Sequence, residues 1–140
     1  MKLTEHFTLE EMTRSAKALA MGIANNPNEE QTENLKALCE NVLEPLRLHL
    51  GRAVVINSGF RCRKLNDAVR GARNSQHMRG EAADIRVGSK KDVMEIMHFI
   101  KTECTFDQLI LEKGAGCQWV HVSYSRKARN RQCVLTLNLN

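Results

Sequence analysis

Aromatic residues are scarce in this chain, 4% of 140 residues, although apolar content as a whole is ordinary at 42%. A chain of this length forms one domain, 1–140, with a core that needs no staples. The five cysteines, Cys39, Cys62, Cys104, Cys117 and Cys133, include no Cys-x-x-Cys pair. That spacing and the odd count argue against a disulfide framework and for reduced thiols made in a cytoplasm. The opening segment, Met1 to His6, lacks the apolar stretch of a secretory leader, and no apolar run is long enough to span a bilayer. Membrane insertion is therefore not expected. Lysine and arginine outnumber acids for a net charge of +5, with a pI near 9.1, yet they form no long run. This disfavours specific nucleic-acid binding and leaves attraction to an anionic polymer such as a cell wall. Repeats, low-complexity tracts and linkers are absent.

What is present is local punctuation. Thr8 with Glu11, and Asn28 with Gln31, have capping-box spacing and predict helices from Leu9 and after Asn28. The second carries Leu35, Leu38, Val42, Leu43 and Leu46 on one face, interrupted by Pro45 and ended by Gly51. Residues 15–26 read as loop with at most a helical turn. Val54 to Ile56 reads as a buried strand, Lys64 to Arg70 as a short helix and Ala82 to Val87 as a strand. Ser89 with Asp92 caps a further helix. Phe106 to Leu111 and Gln118 to Tyr124 read as a hairpin, and Gln132 to Leu137 as a last strand. Helices first and strands later predict an α+β fold, a small antiparallel sheet with helices packed on one face.

Chemistry concentrates in Ser75 to Asp84, Ser-Gln-His-Met-Arg-Gly-Glu-Ala-Ala-Asp. His77 can present an imidazole nitrogen from a loop and Asp84 a carboxylate oxygen from the strand that follows, with Gly80, Ala82 and Ala83 leaving room for close approach. His121, in Trp-Val-His-Val-Ser, is the natural third ligand. Two histidines and one aspartate suit zinc and leave a fourth position for water. A hydrolase of this kind needs a base, for which Glu112 is the candidate. An even-length hairpin loop would put Glu112 on the same face as Trp119 and His121, and an odd one would turn it away. Arg61, three residues after Ser58, could hold a substrate carboxylate or an oxyanion, or could be a surface arginine. Ser75 could donate to substrate or cap the ligand loop. Trp119 could line a groove or sit in the core. Cys62 and Cys117 lie near the site in sequence, where an inert thiol is the commoner role. His6, His49 and His98 read as structural or exposed.

These segments together resemble the zinc D-alanyl-D-alanine carboxypeptidase family and its phage L-alanyl-D-glutamate endopeptidase relatives, which share a fold with the hedgehog signalling domain. His6 to Ser15 resembles the family's N-terminal segment, Ser58-Gly59-Phe60-Arg61 its Ser-Gly-Tyr-Arg element, Ser75 to Asp84 its ligand motif, and Trp119 to Ser123 its terminal ligand segment. The resemblance implies zinc held by His77, Asp84 and His121, Arg61 and Ser75 at the substrate, and cleavage of peptidoglycan stem peptides. The opening segment's lack of a leader then looks like a lysis protein of phage or prophage type, made in the cytoplasm and released to the cell wall through a holin, or a domain of phage or prophage origin. One departure stands out: several members carry an acid three residues before the last histidine, where this chain has Gln118. Without that acid, either Glu112 serves as base or the domain is a non-catalytic, zinc-stabilised wall-binding or phage structural unit.

Overall fold

The computed structural model describes residues 1–139. Both capping boxes form. Thr8 Oγ1 accepts from the Glu11 amide at 3.2 Å while Glu11 Oε1 accepts from the Thr8 amide at 2.9 Å, opening α1 (Leu9–Thr13). Asn28 and Gln31 repeat the exchange at α3 (Glu29–Leu38). Between them lies α2 (Ala16–Met21), longer than the single helical turn expected at most in this loop. Ser15 caps it, but six residues are too few to display a helical period in the sequence.

Pro45 has no N–H to give to a preceding carbonyl, and the chain accommodates this ahead of it. A π-helical turn, Cys39–Leu43, widens the spiral, so that Pro45 falls in the first turn of α4 (Glu44–Leu50), where no donor is needed. The remaining elements are β1 (Ile56–Ser58), α5 (Arg63–Ala68), a 3₁₀ turn (Gln76–Arg79), β2 (Ala82–Arg86), α6 (Lys90–Glu103), β3 (Gln108–Gly114), β4 (Cys117–Ser123) and β5 (Cys133–Asn138). β1 starts two residues later than the apolar run suggested, because Val54 is buried before the pairing begins.

The five strands form one sheet in the order β1-β2-β4-β3-β5. The expectation of an antiparallel sheet needs one correction: β5 runs parallel to β3. β4 ends beside the start of β3, and residues 124–132 carry the chain across to the other side of that start, so β5 must set out in β3's direction. Ala83, Ile85, Leu109, Val120 and Val122 turn one sheet face toward Leu35, Leu38, Leu43 and Leu46 of the α3–α4 segment and Ile96 and Ile100 of α6, forming the main core. The opposite face carries the polar residues.

The crossover is anchored by Asp107, which is 4% exposed. Its carboxylate accepts two bonds from the Arg131 guanidinium at 2.8 Å, one from the Arg131 amide at 3.0 Å and one from Gln76 at 3.1 Å. The Arg131 hydrogen bond is the main cause that holds the Asp107 carboxyl below the usual carboxylate range, against the upward pull of burial. Because its folded value is depressed, the stabilisation it brings is complete above about pH 4 and is lost as pH falls through the folded value. Asp107→Asn is expected to lose about 1–3 kcal/mol near neutral pH and to show a flatter stability profile below pH 4, as urea unfolding at stepped pH would reveal. An unchanged acid profile would count against this anchor.

Candidate metal centre

The polar sheet face is organised as rows across the strands. One row runs Ser58, Asp84, His121, Ile110 and Leu135, each the register partner of the next. The neighbouring row runs Arg86, Trp119, Glu112 and Leu137. Asp84 and His121 thus face each other directly on β2 and β4, and His121 Nδ1 lies 3.0 Å from Asp84 Oδ1. His77 comes from outside the sheet, on the 3₁₀ turn that Ser75 caps by accepting the His77 amide at 3.2 Å. Its Nε2 lies 3.4 Å from the same Asp84 oxygen. One donor atom from each of His77, Asp84 and His121 falls within 4.8 Å of the other two, and all three side chains are largely buried.

The donor chemistry of this cluster fits a cation. His77 Nδ1 lies 2.7 Å from the Gly59 carbonyl oxygen, which can only accept, so Nδ1 carries a proton and donates it. In the neutral ring Nε2 is then a lone pair aimed at a carboxylate oxygen. Two acceptors brought face to face in a buried site require a positive charge between them, as either a proton or a metal. Burial alone would raise the Asp84 carboxyl, but hydrogen bonding and charge from His121 and His77 outweigh it and hold it well below the usual range. Its charged form is the ligating form.

The carbonyl that orients His77 is itself held in place. A Cβ on Gly59 would stand 2.2 Å from the Met12 carbonyl oxygen, which accepts from the Phe60 amide at 2.8 Å. Only glycine lets the strand end lie this close to α1.

Arg61 lies over the cluster, and it is not a free surface arginine. Its Nε donates to Ser58 Oγ at 3.2 Å, its Nη1 to Asn66 Oδ1 at 2.9 Å, and its Nη2 lies 3.8 Å from Asp84 Oδ2. Burial lowers its pKa, while the charges of Asp84 and Glu112 act in the opposite direction. Asn66, 1% exposed, also donates to the Ala72 carbonyl at 2.9 Å, so it locks the guanidinium to the loop beyond α5. Sequence reading missed Asn66, which looks like any polar residue of a short helix. The one signal was Gly71 nearby: a Cβ there would meet Asn66 Oδ1 at 2.1 Å and Arg61 Nη1 at 2.5 Å. Gly71→Ala is therefore expected to displace Arg61 and lower stability by about 1–3 kcal/mol, the cost of a buried amide left without its charged partner. Urea unfolding checks this, and a wild-type midpoint in Gly71→Ala would sink it.

β3 and β4 close through Ala115 and Gly116, a two-residue loop, since Gly114 pairs with Cys117. This even length turns Glu112 to the face of Trp119 and His121. Glu112 Oε1 accepts from Trp119 Nε1 at 2.5 Å, and the second oxygen has no hydrogen-bond partner among the described residues. Gln118 pairs with Lys113 and faces the other side of the sheet. Ser75, Arg61, His77, Glu112, Trp119 and His121 all line one open cleft of about 1230 Å³. Cys62 and Cys117 do not join the cluster, and all five thiols are free. His6 binds Glu44 at 2.6 Å and His49 stacks on Phe99 with ring centroids 4.4 Å apart, so neither contributes to the cluster.

The sequence profile of one family, described as Peptidase M15, matches residues 5–123. No curated protein matches the chain.

Proposed function

This chain belongs to the peptidase M15 family, and from that premise we propose that it is a zinc-dependent peptidase that hydrolyses peptidoglycan stem peptides, at a D-Ala-D-Ala or an L-Ala-D-Glu bond. The observation that carries the reading is the convergence, in one cleft, of the two histidines of a His-Asp-His cluster with a fixed guanidinium and a carboxylate held through one oxygen. His77, Asp84 and His121 would hold the metal. Bound there, zinc supplies a Lewis acid that polarises a carbonyl and brings the pKa of water toward about 7.

The remaining work falls to the chain's own groups. Glu112, a diagonal neighbour of His121 across β3 and β4, would take the proton of the attacking water and return it to the leaving amine. Trp119 N–H would keep that carboxylate aimed. Arg61, braced by Ser58 and Asn66, would hold the oxyanion or a substrate carboxylate without reorganising. Ser75 would add a contact to substrate beyond its capping role. The strand face of Gln118 supports Glu112 as base, because an acid at that position would face away from His121. Among the described residues no helix is long and apolar enough to cross a membrane. The proposed setting is synthesis in the cytoplasm and action on the wall after release, in a phage or prophage lysis role.

The test is incubation of zinc-loaded protein with purified peptidoglycan and short stem peptides, with and without chelator, followed by mass spectrometry. Loss of one D-alanine identifies a carboxypeptidase, and a cut between L-Ala and D-Glu an endopeptidase. No new amino groups from folded, zinc-loaded protein would overturn the reading. A non-catalytic, zinc-stabilised binding domain would then be the better reading.

A further inference from the structure

The basic residues that are scattered along the sequence are gathered by the fold. Seven lysine or arginine side chains line the cleft against three acidic ones, an imbalance that accounts for most of the chain's formal excess of +5. The three acids are already engaged: Glu81 by Arg79, Asp107 by Arg131, and Glu112 by Trp119. By contrast, among the described residues no acid lies within ion-pair distance of Arg14, Lys17, Arg70 or Arg129, which line the same cleft. These four come from three separate walls: the α1–α2 junction, the loop after α5 and the β4–β5 crossover. Arg70 also holds a φ of 57°, in the left-handed region that a side chain with a Cβ adopts at a cost.

We propose that these four cations form a carboxylate-reading rim, so that the cleft selects acidic peptides with at least two free carboxylates over the same peptides in carboxamide form. Arg70 and Arg129 are its specificity-determining residues. The proposal rests on the peptidase reading and names the chemistry of its substrate. The four cations are spread over three walls, which suits dispersed single charges along a peptide. No row of exposed aromatics accompanies them, so nucleic-acid bases have no stacking platform. Unpaired cations around a concave site also focus field and speed the capture of anions.

The experiment measures equilibrium binding of two synthetic stem peptides that differ only in whether their acidic groups are free or amidated. It uses zinc-loaded Glu112→Gln protein, so that cleavage does not intrude, and repeats the measurement with Arg70→Gln and Arg129→Gln added. The free acid is expected to bind about tenfold tighter at low salt, the worth of one charge-assisted contact. Salt should shrink that preference, and the two added substitutions should bring it below about threefold, with circular dichroism reporting the same fold. Equal affinity for the two peptides would overturn the proposal. So would inorganic polyphosphate displacing the acidic peptide at equal charge concentration, which would mark the rim as a site for phosphate polymers. A preserved preference in a protein whose wild type cuts neither peptide would uphold the rim and defeat the peptidase reading alone.

Discussion

Glu112→Gln is expected to lower kcat by about 10²–10⁴, the usual contribution of a positioned general base, while zinc content and melting temperature stay at wild-type values. The substitution keeps the shape of the side chain, and the amide oxygen can still accept the Trp119 N–H now made to Glu112 Oε1. What disappears is the capacity to take a proton. KM should change little, since the group acts on water and not on the substrate's binding contacts. Full turnover in the variant would remove Glu112 from the mechanism even if the enzyme class held. Trp119→Phe, which deletes the N–H and keeps the packing, should reproduce a small part of the loss.

Asp84→Asn should have the largest effect on the metal. The carboxylate is the one oxygen donor of the cluster and faces both imidazoles and the Arg61 guanidinium. Its carboxamide isostere keeps the volume but not the charge. Zinc affinity should fall by more than the 10–100-fold that loss of an outer partner typically costs, and activity should fall with it. The metal-free variant should also lose stability, because His121, His77 and Arg61 lose the carboxylate they face, so the effect of zinc on each protein is read against its own metal-free form. Zinc should therefore raise the melting temperature of wild type and leave that of Asp84→Asn nearly unmoved, by linkage. A full zinc-induced rise in the variant would show that the cluster is not the metal site.

Much of this site was legible as sequence because its signals are local. Ser75 to Asp84 packs two of the three cluster residues into ten positions, and the alternation around His121 assigns its face. Both capping boxes rest on a spacing of three residues, whereas the parity of the hairpin loop was open in the sequence and is decided by the pairing of Gly114 with Cys117. What stayed hidden depends on pieces of chain meeting from afar. The parallel pairing of β5 follows from where β4 ends, which no period records. Asn66 matters because Arg61 folds onto it, and Gly59 because Met12 arrives beside it. The cationic rim draws on positions from 14 to 129, so in sequence it reads as dispersed charge. The α3–α4 break was visible as Pro45, but its resolution by a π turn was not, since the extra residue per turn is chosen by packing.

The direct pairing of Asp84 with His121 across β2 and β4 has a consequence for assembly. A slip of one residue would set His121 opposite Ala83 or Ile85 and send every side chain of the slipped strand to the wrong face. Such a mispaired ribbon would offer a cation no cluster to occupy. Metal would thus act as a proofreader of strand annealing: it withdraws only the in-step chains from the folding mixture, and by mass action pulls the out-of-step ones back through unfolding.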